Sequence, residues 1–363
     1  MIDKRAHFPA LDGARGIAAV CVFLYHIREY FGGARFLESS FLAVDLFFLM
    51  SGFVIALSYE QSLLNGTRSL LSFIWTRALR LYPLYLMACC IGALYFLMKN
   101  FAGIEDAPSL QQIAGVLPAT LLLAPWPSAA EWGFSPYPYS PSAWSLSFEF
   151  WYNIVYALLA VRLGTKTLLV VIAISLAALL HQAGQWGTLD LGWGMSTALG
   201  GSARFWFSFS MGVLIFRHFL KHLQTTRLPF YLSILCFAFV ALPKGAVELS
   251  LFWVVVVFPL AFVAGGAYQI RGAAAVVCGH LGRLSYGIYI LHAPIVLFQT
   301  GVAKVLLGEN WENHQVLIGL SIILTVLVAS WIGTYHFDEP LRRYLKNRVG
   351  KRRTVVAAPT LPI

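Results

Sequence analysis

Ala14-Arg15-Gly16-Ile17-Ala18-Ala19-Val20-Cys21-Val22-Phe23-Leu24-Tyr25-His26-Ile27 is the first long apolar run of the chain, with an arginine near its start and a histidine near its end. On a helix, eleven residues at about 100° each return close to the same side, so Arg15 and His26 share one face, roughly 16 Å apart along the axis. Ionisable groups facing lipid are costly, so such groups line a cavity, pair with a partner or carry function. The run predicts a membrane helix with a cation near the cytoplasmic mouth and a titratable imidazole deep in the bilayer. That pairing suggests a site for a long substrate with an anionic head.

The rest of the chain extends this reading. Over 363 residues, 59% are hydrophobic and only 12% charged, and mean hydropathy is +0.72. These values exclude an ordinary soluble domain. Long apolar runs, rather than short alternating ones, exclude a transmembrane β-barrel and predict an all-α integral membrane protein. About ten segments are long enough to cross a bilayer: 14–32, 41–59, 81–98, 144–162, 167–183, 204–216, 229–243, 249–268, 284–307 and 316–336. The stretch 112–124 is also apolar but short, and Pro118 interrupts it. Charge decides its status. If it does not span, Lys4 and Arg5, the turns carrying Arg68, Arg77, Arg80, Arg162, Lys166, Arg217, Lys221, Arg227, Arg271 and Arg283, and the basic C-terminal segment all face the cytoplasm. We therefore expect 112–124 to be re-entrant or interfacial and both termini to be cytoplasmic. Residues 1–337 are then expected to form the membrane-embedded domain, and 338–363 a basic cytoplasmic tail, disordered beyond Tyr344.

The net charge of +10 sits in these short loops and at the C-terminus, which argues against nucleic acid as a partner. Cys21, Cys89, Cys90, Cys236 and Cys278 lie in apolar stretches without metal-ligand spacing, so they read as small buried hydrophobes and no metal is expected. Asp12 and Arg15 interrupt the first run and no small-residue cleavage site follows, so an uncleaved first helix is expected rather than a signal peptide. The outer segment 99–143 holds seven prolines with Trp126, Trp132, Tyr137 and Tyr139. It reads either as an interfacial cap or as a sugar-binding lip. No internal repeat supports a transporter built from two related halves.

Several constellations could carry chemistry. His26 titrates near neutrality in its unperturbed form and can take a proton from an alcohol, although a packing histidine is the bland alternative. Arg77 and Arg80 are neighbours on a helix surface, and Pro83 bends or ends the turn beyond them. Their forks suit a pyrophosphate or ribose phosphate, or else simply set topology at the headgroups. Ser145, Glu149 and Tyr152 fall on one stripe continued by Tyr156, so Glu149 could orient His26 or bind a hydroxyl. Ser285, Tyr289 and His292 form a second polar stripe, implying a lined cavity or interhelical hydrogen bonds. Asp45 is another costly intramembrane charge, explained equally by an ion pair with an arginine and by catalysis. His181, Arg204 and His336 stand alone and read as structural.

Taken together, Leu11-Asp12-Gly13-Ala14-Arg15-Gly16 with His26, Val44-Asp45-Leu46-Phe47-Phe48-Leu49-Met50-Ser51-Gly52-Phe53, Arg77-Ala78-Leu79-Arg80-Leu81-Tyr82-Pro83, Trp144-Ser145-Leu146-Ser147-Phe148-Glu149, Ser285-Tyr286-Gly287-Ile288-Tyr289-Ile290-Leu291-His292 and Asp338-Glu339-Pro340-Leu341-Arg342-Arg343 resemble the acyltransferase 3 family of integral membrane acyltransferases. Each motif alone is weak; together and in order they are specific. The resemblance implies a ten-helix bacterial inner-membrane enzyme that moves an acyl group, usually acetyl from acetyl-CoA, to a sugar hydroxyl of an exopolysaccharide, lipopolysaccharide or related glycan. By position, Arg15 and His26 match the family's arginine-to-histidine motif, and Arg77 and Arg80 its arginine pair. Two departures stand out: Glu149 is followed by Phe150 where a second acidic residue is common, and no periplasmic hydrolase-like domain of the kind some members carry is expected here, so either the membrane domain or a separate partner is expected to finish the transfer.

On this reading His26, Arg15 and Glu149 are catalytic, Arg77, Arg80 and Arg15 hold the acyl-CoA co-substrate, and Tyr289, His292, Ser285, Tyr152 and Asp45 meet the acceptor. Partners would be a glycan or lipid-linked sugar, membrane lipid and proteins of polysaccharide synthesis or export. A transporter or flippase of a glycolipid or acylated intermediate is the alternative, and a non-catalytic membrane subunit a third.

Overall fold

The computed structural model describes residues 8–33, 37–128, 135–160, 162–219, 234–265 and 268–356. Lys4, Arg5, Trp132, Lys221, Arg227 and the Ala-Ala-Pro-Thr-Leu-Pro end therefore lie outside the described residues, as do residues 229–233 of the expected span 229–243, of which Leu235–Ala241 forms a 3₁₀ helix.

Every regular element among the described residues is helical, and none is a strand. This is the physical consequence of a chain that must satisfy its own backbone hydrogen bonds in lipid. The principal helices are α1 (Pro9–Ile27), α2 (Ala43–Ile55), α3 (Leu70–Phe101), α4 (Ala143–Leu159), α5 (Thr165–Trp186), α6 (Ala198–Phe219), α7 (Val247–Gly265), α8 (Ala273–Leu307), α9 (Gln315–Ile332) and α10 (Glu339–Val356). Seven helical stretches among the described residues are long and apolar enough to cross a membrane. The difference from the expected ten has identifiable causes. The helix at 144–162 is only 17 residues long, Ala143–Leu159. The last two expected spans, 284–307 and 316–336, fall inside one helical stretch, Ala273–Arg348. At 76 residues that stretch would be about 114 Å long if straight, several times a bilayer core. It instead turns back at Gly308, whose φ of +54° suits glycine, so that α8 and α9 lie against each other.

Residues 112–124 form two short helices, Leu110–Gly115 and Leu117–Leu121, neither able to span. Ser109 and Gln112 close a reciprocal cap at the first. The hydroxyls of Tyr82 and Tyr85 donate to the carbonyls of Leu121 and Thr120 at 3.0 and 2.9 Å, and Tyr139 donates to Ile113 O. Tyrosines of the bundle thus answer backbone groups that a broken helix leaves open.

Two expectations about local structure are corrected. Pro83 does not end its helix: α3 runs through it for 32 residues. The ring costs one backbone bond but is tolerated inside a packed bundle, where Tyr286 donates to the nearby Leu81 carbonyl. The basic segment does not fray at Tyr344 either, since α10 continues to Val356 and packs on α3.

The core of the bundle is set by close pairs, α1 along α8 and α2 along α6, with α5 also on α6 and α3 on α8. Glycine permits the α2–α6 approach. A Cβ on Gly52 would sit 2.0 Å from Phe209 O, and one on Gly212 2.1 Å from Leu49 O. This is the small-residue contact by which membrane helices gain dispersion energy without a hydrophobic drive.

Candidate active site

α1, α2, α3, α4, α8 and α10 surround a cavity of about 330 Å³. Its wall is electrostatically lopsided. Arg15, Arg77, Arg80, Arg342 and Lys346 all line it, with Glu149 the one carboxylate among the lining residues. Arg77 and Arg80 come from the first turns of α3, the part of that helix that overshoots the expected span 81–98. Arg15 comes from the N-terminal half of α1, and Arg342 and Lys346 from α10.

These cations are unequally committed. Arg77 Nη2 donates to Glu149 Oε1 at 2.6 Å, and Ser51 Oγ donates to the same oxygen at 3.0 Å. Arg15 pairs with Asp12 one turn away, and Arg342 with Asp338 at 2.6 Å. The Nε groups of Arg15, Arg77 and Arg342 are nevertheless buried without a hydrogen-bond partner. Buried donors left open are costly, so these three point to an absent acceptor. Arg80 has no ion-pair partner among the described residues. A chamber with several guanidinium donors to spare fits a polyanionic ligand.

Tyr289 lines the cavity, with its hydroxyl 2.6 Å from Ser145 Oγ and its ring edge-on to Phe47 at 5.4 Å. Ser285 also lines the cavity, with its hydroxyl donated to Gly282 O at 2.8 Å. Beyond Tyr289 lie two imidazoles, His292 of α8 and His26 of α1, with ring centroids 4.8 Å apart. Nδ1 of each lies by the carbonyl four residues back, 2.8 Å to Val22 O for His26 and 3.1 Å to Ile288 O for His292. A carbonyl can only accept, so each Nδ1 carries the proton and each Nε2 presents a lone pair. His292 Nε2 takes Ser142 Oγ at 3.3 Å and is fully buried. His26 is exposed, and its Nε2 has no partner among the described residues.

The expected assignments sort themselves on this geometry. Arg15, Arg77, Arg80, Glu149, Ser285 and Tyr289 are brought to one cavity. His26 and His292 are brought together, but neither lines that cavity, so Arg15 and His26 do not open onto one continuous space in this conformation. Glu149 does not orient His26, because its carboxylate is taken up by Arg77 and Ser51. Tyr152 does not meet the cavity: its hydroxyl is 2.7 Å from Ser202 Oγ and its ring packs on Phe205 and Trp206 of α6. Tyr156 continues away from the cavity, donating to Glu60 at 2.6 Å. Asp45 does not line the cavity either. Its carboxylate is wholly buried and bound by Arg204 at 2.7, 3.1 and 3.2 Å. Arg204 spends its remaining donors on Leu191 O and Phe41 O, at 2.7 and 3.0 Å.

Arg342 and Lys346 were missed from sequence because a basic segment after the last apolar run looks the same whether it sets topology or builds a site. The Asp-Glu-Pro-Leu-Arg-Arg motif was the available signal.

Fold and cavity define an integral membrane protein with a basic chamber sunk into a helical bundle. The chain matches the family described as "Acyltransferase domain" over residues 8–335 and belongs to it; it is a membrane acyltransferase. Among its relatives, Protein 2 in picA locus of Rhizobium radiobacter is 38% identical over 185 residues, covering 49% of this chain and 95% of that protein. Acyltransferase MdmB of Streptomyces mycarofaciens is 32% identical over 176 residues, covering 43% and 42%. O-acetyltransferase OatA of Staphylococcus aureus is 36% identical over 87 residues, covering 23% and 13%. The chain thus spans nearly all of the first relative but less than half the length of the other two. No solved structure matches it.

Proposed function

We propose that this enzyme is an O-acyltransferase of a bacterial inner membrane, moving acetyl from acetyl-CoA to a sugar hydroxyl of an envelope or exported glycan. The bundle crosses the membrane about ten times with both termini in the cytoplasm, so the basic end of the cavity faces the cytoplasm. The observation that carries the reading is the cavity itself: five cations against one carboxylate, with three buried guanidinium Nε atoms unpartnered. Arg77, Arg80, Arg342 and Lys346 hold the phosphates of the nucleotide, and Arg15 lies beside the pantetheine arm. Glu149 keeps Arg77 in place, and the arm parts the Ser145–Tyr289 contact to bring the thioester beyond Tyr289.

His26 acts as general base. Its open Nε2 takes the proton of the acceptor hydroxyl while that oxygen attacks the thioester carbonyl. The C–S bond breaks, and the proton passes from His26 to the departing CoA sulfur. The exposed His26, rather than the enclosed His292, is placed for this step, and His292 buttresses its ring. Purified full chain in lipid nanodiscs is expected to release free CoA from acetyl-CoA when given envelope glycan. His26→Ala is expected to abolish release while retaining acetyl-CoA binding. Transfer by His26→Ala at the wild-type rate would refute the mechanism.

A further inference from the structure

We propose that the turn at residues 187–194, between α5 and α6, is the acceptor-binding loop, with Asp190 taking a hydrogen bond from a neutral polyol beside His26 and Trp193 supplying its apolar wall. The inference rests on the acyl-transfer reading above and adds to it the acceptor's site and charge.

The loop is short, outside the helices and unusually well tied. Helix α5 stops on Gly187 in the left-handed region, φ +65°. Arg204, itself locked on Asp45, donates to Leu191 O at 2.7 Å. Gly192 N and Gly194 N donate to Thr197 Oγ1 at 3.1 and 3.4 Å, and Asp190 N donates to Thr188 Oγ1 at 3.0 Å. Gly192 has φ +112°, and a Cβ there would lie 2.5 Å from Trp144, so no side chain is tolerated. A buried ion pair thus ends up positioning a half-buried loop whose Trp193 is exposed, the arrangement a binding loop needs.

That loop reaches the reacting imidazole. Tyr25 OH donates to Asp190 Oδ2 at 3.0 Å, and the Tyr25 ring stands edge-on to that of His26, centroids 5.1 Å apart. Among the described residues Asp190 Oδ1 has no partner, so one acceptor remains open across Tyr25 from the open Nε2 of His26. Trp193 Nε1 donates to Asp190 O at 3.1 Å, which fixes the indole while leaving it 53% exposed. A free carboxylate oxygen accepts from a hydroxyl, and an aromatic face covers the C–H side of a sugar ring. The neighbouring cations are already engaged: Arg28 with Tyr25 O at 2.7 Å and Glu29 at 3.2 Å, and Arg204 with Asp45 at 2.7 Å and Leu191 O at 2.7 Å. A phosphorylated acceptor would therefore meet a carboxylate whose neighbouring cations are already committed elsewhere. The two ends of the protein have opposite tastes, polyanion at one and neutral polyol at the other.

The test uses the full chain in nanodiscs, acetyl-CoA, and neutral oligosaccharide stripped from the envelope of the producing cell. Asp190→Asn keeps an acceptor for Tyr25 and is expected to raise the half-saturating oligosaccharide concentration at least tenfold. Trp193→Ala is expected to raise it severalfold. Both should leave acetyl-CoA affinity unchanged. An unaltered half-saturation, or an equal loss of acetyl-CoA affinity, would overturn the loop's role and leave the acyl-transfer reading standing. A wild-type chain that releases no CoA would sink that reading, and this inference with it.

Discussion

Arg80 offers the sharpest test of the cavity, because it lines the chamber without an ion-pair partner among the described residues. It lies between the like charges of Arg15 and Arg342 and the opposite charge of Asp338, and makes no ion pair of its own among the described residues. Arg80→Gln should therefore leave the stability of the empty protein nearly unchanged, within about 0.5 kcal/mol, as for a substitution that breaks no committed contact. Binding should respond very differently. A hydrogen bond to a charged group contributes about 1.5–3 kcal/mol, which corresponds to roughly 10- to 150-fold in Kd. Isothermal titration of the full chain in nanodiscs with acetyl-CoA measures the second effect, and thermal unfolding with and without donor measures both. The variant should show the wild-type midpoint when empty and lose most of the donor-induced rise. The wild-type affinity should also weaken with salt more steeply than the variant's. If Arg80→Gln binds as the wild type does, the cavity does not receive the phosphates. A fall of several degrees in the empty midpoint would make Arg80 structural.

Other outcomes follow from the packing and the ion pairs. Asp45→Asn strands the fully buried Arg204 and should cost about 3–5 kcal/mol, read as a lowered midpoint and less folded protein in the membrane; normal yield and midpoint would mean the pair is dispensable. Gly52→Ala places a methyl 2.0 Å from Phe209 O, so α2 and α6 must separate, at about 1–3 kcal/mol, measured by thermal unfolding. Glu149→Gln frees Arg77 and should impair acetyl-CoA binding less than Arg77→Gln does; the reverse order in titration would place the carboxylate on the ligand.

What could be read in the sequence divides along the range of the interactions. Apolar runs gave the helical membrane class, because the lipid constraint acts on each segment by itself. The arginine pair of α3 was legible for the same reason, as its spacing is local. The stripe from Ser145 to Tyr156 was only half informative because a stripe on one helix does not say which neighbour it faces: Ser145 and Glu149 turn to the cavity, Tyr152 and Tyr156 to α6 and Glu60. The partner of Asp45 was invisible because Arg204 is 159 residues away, and Arg204 had looked isolated on its own helix. Asp190 drew no notice either, since a lone aspartate in a glycine-rich turn looks like turn chemistry until Tyr25 and His26 are seen beside it.

The Asp45–Arg204 pair also bears on how the protein is made. Ribosomes deliver about 5–20 residues per second, so a separation of 159 residues leaves the second apolar segment waiting roughly 10–30 s for its guanidinium. During that interval a bare carboxylate sits in a newly inserted hairpin and has to be sheltered by water or by the insertion machinery. Slow codons or a stall between the two positions would lengthen the exposure, which makes the interval from residue 45 to residue 204 the vulnerable stretch of biogenesis.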